Sequence, residues 1–384
     1  MSSETTYNHI IHIRPLDYYF FGGEQTFGEG KSQNYFAKTL PYPQQTSILG
    51  LLRHLGHIHG MDIGNSFDPT CTDNPKDSSP FGYIQKISPL FLSLKEGDSY
   101  THYLPAFLGQ KPNEEGEPKL FSLKEDKGES YSLKTEAKAE NWKSVYAFEE
   151  YHAKKGATLF LRGRKDIKEL KNAIETFVKT GINKPPDGSV PEDGFFKQEV
   201  GKLEKNWCFS VLARLEESEV LSQKTIMPFG ADKCLFELQI QKLNPDKKLE
   251  DYFPKTLWKH PFPDELACMV LTSDAMIDEA KLFKNMDFGL IKTVSFRSIY
   301  TPANAFANSK LSAKLVQTKT EGQIKSSEAA TLLKSLKYNL LQRGSMIYAK
   351  KEKLQQLKKA FDRCSYYQRI GYNHYYIIPA QQNS

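Results

Sequence analysis

The residues best suited to chemistry stand near the end of the chain, where cations and rings alternate. Lys292, Arg297, Lys310, Arg343, Lys350 and Arg369 are interleaved with Phe296, Tyr300, Tyr348, Tyr366, Tyr367 and Tyr372. This pairing suits unpaired nucleic acid: cations hold phosphates, and ring faces stack on bases at about 1–3 kcal/mol each. From Ile291 to Ser384 there are sixteen Lys or Arg against four acids, a net of +12. The whole chain carries +6, so the preceding 290 residues carry −6. A body of slightly negative charge with one basic end points to a polyanion-facing surface. The competing reading is a solvated basic face. Strand positions claim Phe296, Tyr348 and Tyr376 for the core, so Arg297, Arg343, Lys350 and Arg369 carry more of the expectation than the rings.

Histidine is the other reactive type. His54, His57 and His59 fall within six residues, with Asp62 just beyond. On a helix His54 and His57 are one turn apart and can share a metal. His59 then points elsewhere, and no carboxylate or cysteine stands at a matching offset. A helix end whose imidazoles meet the C-terminal dipole fits better. His9 and His12 fall on opposite faces of a strand. A metal-independent ribonuclease needs a base beside a 2′-hydroxyl, and no histidine here has a recognisable partner in sequence. HExxH, GxSxG and GxxxxGK[ST] are absent. No catalytic residue, metal or cofactor is expected. Gly22, Gly23, Gly28 and Gly30 lack the strand-then-helix setting of a dinucleotide site. Flanked by Lys31 and Lys38, they are candidates for phosphate contact by close backbone approach.

These residues need elements to hold them. Asn8 to Arg14 alternates as a strand, and Pro15 ends it. Leu40 to Pro43 turns into a helix capped by Thr46 or Ser47, with Ile48, Leu49, Leu51, Leu52 and Leu55 as its apolar face and Gly60 as its stop. Arg53 and His54 ride on that helix. Asp62 to Ser79 and the charged stretch Glu114 to Glu140 read as insertions, together spanning about 62–150. Ala157 to Arg162 is a strand, and Asp166 to Lys179 is helical by period and charge. Lys184 to Gly194 is the candidate boundary between halves. Strands follow at Trp207 to Leu215, Cys234 to Gln241, Leu266 to Thr272, Leu290 to Phe296, Ser345 to Ala349 and Tyr372 to Ile378. Helices are expected at Asp274 to Lys284 (capped by Ser273), Ser326 to Leu340 and Glu352 to Phe361. The irregular alternation argues for α+β, in two halves of 1–200 and 201–384, each an antiparallel sheet with helices on one face.

The composition, 39% hydrophobic and 26% charged over 384 residues, is that of a globular chain. No stretch reaches the roughly 18–20 apolar residues of a membrane span. The opening residues do not resemble a leader. Five scattered cysteines form no CxxC pair, so neither a disulfide framework nor a zinc site is indicated, and a reducing cytoplasm is the expected home.

Several segments resemble one family. RPLDYYFFGGEQTFGEG (Arg14 to Gly30) resembles its opening of strand, aromatic residues and glycine loop. LPYPQQTSILGLLR (Leu40 to Arg53) is similar to its helix entry, with Pro41, Pro43, Thr46, Gly50, Leu52 and Arg53 in register. MPFGADKCLFEL, LQRGSMIYAK and RIGYNHYYI resemble its later strands, although the family's Gly-Gly-Glu turn is here Gly230, Ala231 and Asp232, and its closing glycine cluster is reduced to Gly371. The family is the RAMP protein that caps the crRNA 5′ handle in type III-B (Cmr) CRISPR effector complexes. The resemblance implies two fused ferredoxin-like (RRM-like) domains with loop or hairpin insertions. It also implies three kinds of partner: the 5′ handle of crRNA, the large polymerase-like CRISPR subunit, and the type III-B backbone RAMP subunits. An extended hairpin would lie on the RNA as a thumb. The subunit would not cut RNA. The alternatives are a RAMP-type endoribonuclease that processes precursor crRNA, with His54 or His12 as base, and a protein scaffold whose basic end meets an acidic partner.

Overall fold

The computed structural model describes residues 6–26, 35–64, 81–108, 110–112, 118–120, 122–126, 130–134, 139–141, 159–182, 195–216, 224–232, 234–254, 266–296, 299–300, 333–334, 338–363 and 365–378. In chain order these begin with β1 (Tyr7–Pro15), β2 (Gly22–Thr26), β3 (Tyr35–Thr39), α1 (Gln45–Ile58), β4 (Ile84–Ile87), β5 (Phe91–Glu96) and β6 (Ser99–Pro105). The charged insertion holds five short strands: β7 (Gln110–Pro112), β8 (Pro118–Leu120), β9 (Ser122–Asp126), β10 (Ser130–Lys134) and β11 (Ala139–Asn141). Next come β12 (Phe160–Gly163), β13 (Ile167–Glu169), β14 (Ile174–Ile182), β15 (Phe195–Leu203), β16 (Trp207–Leu215), β17 (Thr225–Pro228), β18 (Leu235–Lys247) and α2 (Leu249–Tyr252). The last part has β19 (Leu266–Leu271), α3 (Glu279–Asn285), β20 (Phe288–Leu290), β21 (Thr293–Phe296), β22 (Ile299–Tyr300), β23 (Leu333–Lys334), β24 (Tyr338–Leu341), β25 (Met346–Lys350), α4 (Lys351–Asp362), α5 (Ser365–Arg369) and β26 (Tyr375–Ile378). The protein is α+β and mostly sheet.

The largest sheet has nine strands in the order β13-β12-β6-β5-β16-β1-β18-β17, with β4 also pairing β16. Four of these, β18-β1-β16-β5, surround the centre, and every pairing among them is antiparallel. Strand alternation splits β1. Ile11 and Ile13 join Ile48, Leu49, Leu52 and Leu55 of α1 in one core. Ile10 turns the other way, into a second core. A four-stranded sheet, β20-β25-β19-β26, repeats this logic. Met269, Leu271, Ile347 and Ala349 face Leu282 of α3 and Leu357 and Phe361 of α4. Cys268, Val270, Met346 and Tyr348 face Ile10, Phe91, Leu104 and Leu212 of the large sheet. The helix-free faces of the two sheets therefore pack together, with α1 outside one and α3 and α4 outside the other.

Several expectations need correction. Asp166 to Lys179 is not a helix: it forms β13, a short 3₁₀ turn and β14. Ile174, Thr176, Phe177, Val178 and Ile182 are β-formers, and β14 pairs with β15 over nine residues. The helix expected from Asp274 begins instead at Glu279, where the Asp278 side chain accepts from the Ala280 amide. Ala275 is held in a backbone bridge to Leu341. Within Ser326 to Leu340, Leu333–Lys334 and the start of β24 are strand, and the remainder lies outside the described residues. Neither Thr46 nor Ser47 caps α1; Gln44 occupies that position without a side-chain cap. The Lys184 to Gly194 boundary lies outside the described residues. Residue 200 falls inside β15, and β1 from one side of it pairs with β16 and β18 from the other. The chain moves from one stacked sheet to the next between Phe253 and Leu266.

Candidate nucleic-acid interface

The N-terminus of α1 meets the end of the chain. Tyr372 Oη accepts from the Thr46 amide at 3.4 Å and donates to Gln44 Oε1 at 3.1 Å, so a distant hydroxyl serves the helix end that lacks a local cap. Gly371 stands beside it at φ +93°, a region that disfavours side chains. A Cβ there would collide with the Gln45 amide and the Ser88 carbonyl.

A cleft of about 340 Å³ opens next to this contact, lined by Gly23, Lys38, Tyr42, Asp274, Lys292 and Arg343 among others. Lys38 is exposed on β3, and Lys292 is half-buried just before β21. Arg343 is 3% exposed. Its Nε and Nη2 donate to Asp274 Oδ1 and Oδ2 at 3.1 and 3.0 Å, and its own amide donates to Oδ1 at 2.9 Å. The guanidinium carbon stands 4.9 Å from the Tyr42 ring centre. Burial opposes the guanidinium charge, but Asp274 and its hydrogen bonds, helped by Tyr42 and Tyr372, hold the pKa above the usual range. Nη1 is buried and makes no hydrogen bond. The fork of Arg343 thus ties the β24–β25 turn to the segment after β19.

Of the residues selected from the sequence, Lys38, Lys292 and Arg343 meet in this cleft. Arg53 and Arg369 meet elsewhere, near the other end of α1. Their guanidinium carbons lie 5.8 and 5.5 Å from the Phe81 ring centre. Arg369 also donates to the Gln85 carbonyl at 3.2 Å. Burial pushes Arg53 down to about 10, against the pull of Asp62. His54 is half-buried on α1, and burial, then His57, lowers its pKa. Lys350 ends β25, about 16 Å of strand beyond Ser345 at roughly 3.3 Å per residue. Its amide is bound to Asp287 at 2.8 Å, so it does not join the cleft. Lys31, Arg297 and Lys310 lie outside the described residues. Among the described residues no three His, Cys, Asp or Glu side chains are placed to hold a metal. Also among them, no helix is long and apolar enough to cross a membrane.

Sequence reasoning missed Asp274 and Tyr42 as partners in this region, and Tyr372, selected as a ring for stacking on bases, is instead buried at the N-terminus of α1. Asp274 had read as a helix start, and nothing local signals a pair 69 residues apart.

The architecture is that of an α+β protein with two sheets stacked on their helix-free faces and a basic cleft beside the junction. The chain belongs to the CRISPR-associated protein family Cas_Cmr3, whose model matches residues 11–380. Among solved structures it is similar to a chain of "the Type III-B Cmr-beta bound to cognate target RNA and AMPPnP, state 1", at 13% identity and a TM-score of 0.47 over 95% of each chain. It is also similar to a chain of "the Type III-B Cmr-beta bound to cognate target RNA", at 14% identity and a TM-score of 0.48 over 96% of each chain. No curated protein matches.

Proposed function

We propose that this chain is a non-catalytic subunit of a type III-B CRISPR effector complex that binds the 5′ handle of crRNA. It docks the large polymerase-like subunit onto the backbone RAMP subunits. The observation that carries the reading is the junction cleft. Lys38, Lys292 and Arg343 come from three distant parts of the sequence and converge at one opening. A phosphodiester backbone there would meet Lys38 and Lys292, whose ammonium groups give the charge-assisted contacts suited to phosphate.

We read both sheets as ferredoxin-like. β19, α3, β20, β25, α4 and β26 follow a βαββαβ order, with strands arranged β26-β19-β25-β20. β1, α1, β5, β16 and β18 give the same arrangement, β18-β1-β16-β5. The seam between the two domains then belongs at 254–266 and not at 200. The thumb is best assigned to the β14–β15 hairpin. Glu175 to Thr180 are exposed along it, and its second strand runs parallel to β3, which bears Lys38. A non-catalytic role accords with the state of His12. It is 4% exposed, and burial, then His102 and Lys95, push it down to about 3, so it cannot hold a proton for a leaving group near neutral pH.

The test is charge reversal at the cleft. Lys38→Glu with Lys292→Glu should weaken crRNA retention by the assembled complex. The dependence of log affinity on log salt should become shallower by about 1.4, at roughly 0.7 per single-strand phosphate lost. Unchanged retention and slope would remove the cleft from the RNA path.

A further inference from the structure

The helix-free face of the large sheet is not wholly covered by its partner sheet. Ile10, Leu104 and Leu212 on that face are sealed in the shared core. Beyond them the face turns polar and holds a second, smaller cavity of about 120 Å³, lined by His12, Arg14, Lys95, Tyr100, Gln239 and neighbouring residues. None of the cations selected from the sequence lies here. Lys95 is exposed, and Tyr100 is half-buried with its ring stacked on His12 at 3.9 Å and 11°. Arg14 and Lys224 share Glu237 at 3.4 and 2.6 Å on the rim.

Behind the rings runs a hydrogen-bonded chain. His12 Nδ1 meets Ser210 Oγ at 2.8 Å, Ser210 Oγ meets Ser93 Oγ at 2.7 Å, and Ser93 Oγ meets His102 Nδ1 at 2.7 Å. Two hydroxyls supply two of the three protons, so at least one imidazole donates through Nδ1. The chain can be polarised in either sense. Reversing it exchanges His12 Nε2 between donor and acceptor without charging either ring. Burial keeps both imidazoles neutral, at about 3 for His12 and about 4 for His102.

We propose that this cavity is a second RNA site, taking one unpaired nucleobase on the face of Tyr100 that His12 leaves open, with Gln239 at its edge and Lys95 and Arg14 toward its phosphates. A cavity of about 120 Å³ is on the scale of one nucleobase ring system. An aromatic ring with flanking cations on a sheet face is the arrangement that holds single strands.

The proposal rests on the RNA-binding reading above, and the experiment separates the two. The full-length chain is titrated with a short single-stranded oligoribonucleotide carrying one 4-thiouridine. The bound complex is then photo-crosslinked and the modified peptide sequenced. Crosslinks are expected on the Tyr100 or His12 peptide. Tyr100→Leu should weaken binding roughly 5- to 150-fold, the value of one base stack. Tyr100→Phe keeps the ring and should bind within about twofold of the parent. Lys95→Glu, an exposed change that spares the core, should weaken binding by several-fold. If the parent binds and Lys38→Glu weakens it while Tyr100→Leu and Lys95→Glu do not, this site is wrong and the junction cleft stands. If the parent binds no RNA, both fall.

Discussion

Removing Asp274 should cost this protein a large part of its stability, while removing Asp274 and Arg343 together should not. Arg343 is 3% exposed, and two of its nitrogens and its own amide rest on the one carboxylate. Hydrogen bonds to charged groups contribute about 1.5–3 kcal/mol each. Truncating one partner of a buried pair leaves an uncompensated charge, at a cost of about 3–5 kcal/mol. Asp274→Ala should therefore lose about that much in urea unfolding, out of a typical total of about 5–15 kcal/mol. Asp274→Leu with Arg343→Met removes both charges and keeps apolar volume against Tyr42, so it should unfold within about 1–2 kcal/mol of the parent. A single variant that loses less than about 1 kcal/mol would refute the buried-pair argument, as would a double variant no better than the single.

Acid should destabilise the fold through His12 and His102. Their folded pKa values, about 3 and about 4, lie below the ordinary 6.5, so the unfolded chain binds more protons between those values. The stabilisation is complete above pH 6.5 and is lost as pH falls toward 4. Going from pH 7 to pH 5 should cost about 2 kcal/mol for each ring, read as a falling urea midpoint. His374, lowered to about 4 by burial, adds to the same loss, so His102→Gln should remove only its own share, about 2 kcal/mol, and a pH-independent midpoint would contradict the burial of these rings. Gly371→Ala should destabilise by more than about 1 kcal/mol, because it adds left-handed strain to a collision with Gln45 and Ser88. Thermal unfolding indistinguishable from the parent would show that the α1 contact yields easily.

Much of the scaffold was legible in the sequence, because its elements bury one face each. β1, β16, β19, β25 and α4 follow apolar periods that survive in the fold. The failures came where a local pattern met a distant partner. The charged run after Asp166 looked helical until β15 supplied nine paired residues. Asp274 looked like a helix start until Arg343 claimed its carboxylate. The candidate site was legible in part for the same reason. Lys38, Lys292 and Arg343 were chosen by charge and do converge, but sequence could not separate an exposed lysine from an arginine clamped in the interior. Arg53 and Arg369 were chosen on the same ground, and they gather at Phe81 instead.

On the RNA-binding, RRM-like reading proposed above, the stacking of the two sheets decides where nucleic acid can lie. In an RRM-like domain the helix-free face is the platform on which bases stack. Here that face is largely consumed: Phe91, Tyr348 and Tyr376 are rings of the kind that could stack on bases, and all three are sealed between the sheets. Burying those rings stabilises the pairing of the halves, each ring removing some 150–250 Å² from water. The same burial denies RNA the centre of both sheets. Among the described residues, two surfaces escape this burial. One is the junction, where α1, the β2–β3 pair and the β24–β25 turn meet and cations from distant parts of the chain converge. The other is the end of the large sheet that outruns its partner, where the apolar row of Ile10 gives way to His12 and Tyr100. Of the rings in the basic C-terminal stretch, Tyr348 and Tyr376 hold the two sheets together, while Phe296, Tyr366, Tyr367 and Tyr372 join the core around α1, so its buried rings serve the fold and leave the proposed binding to its cations.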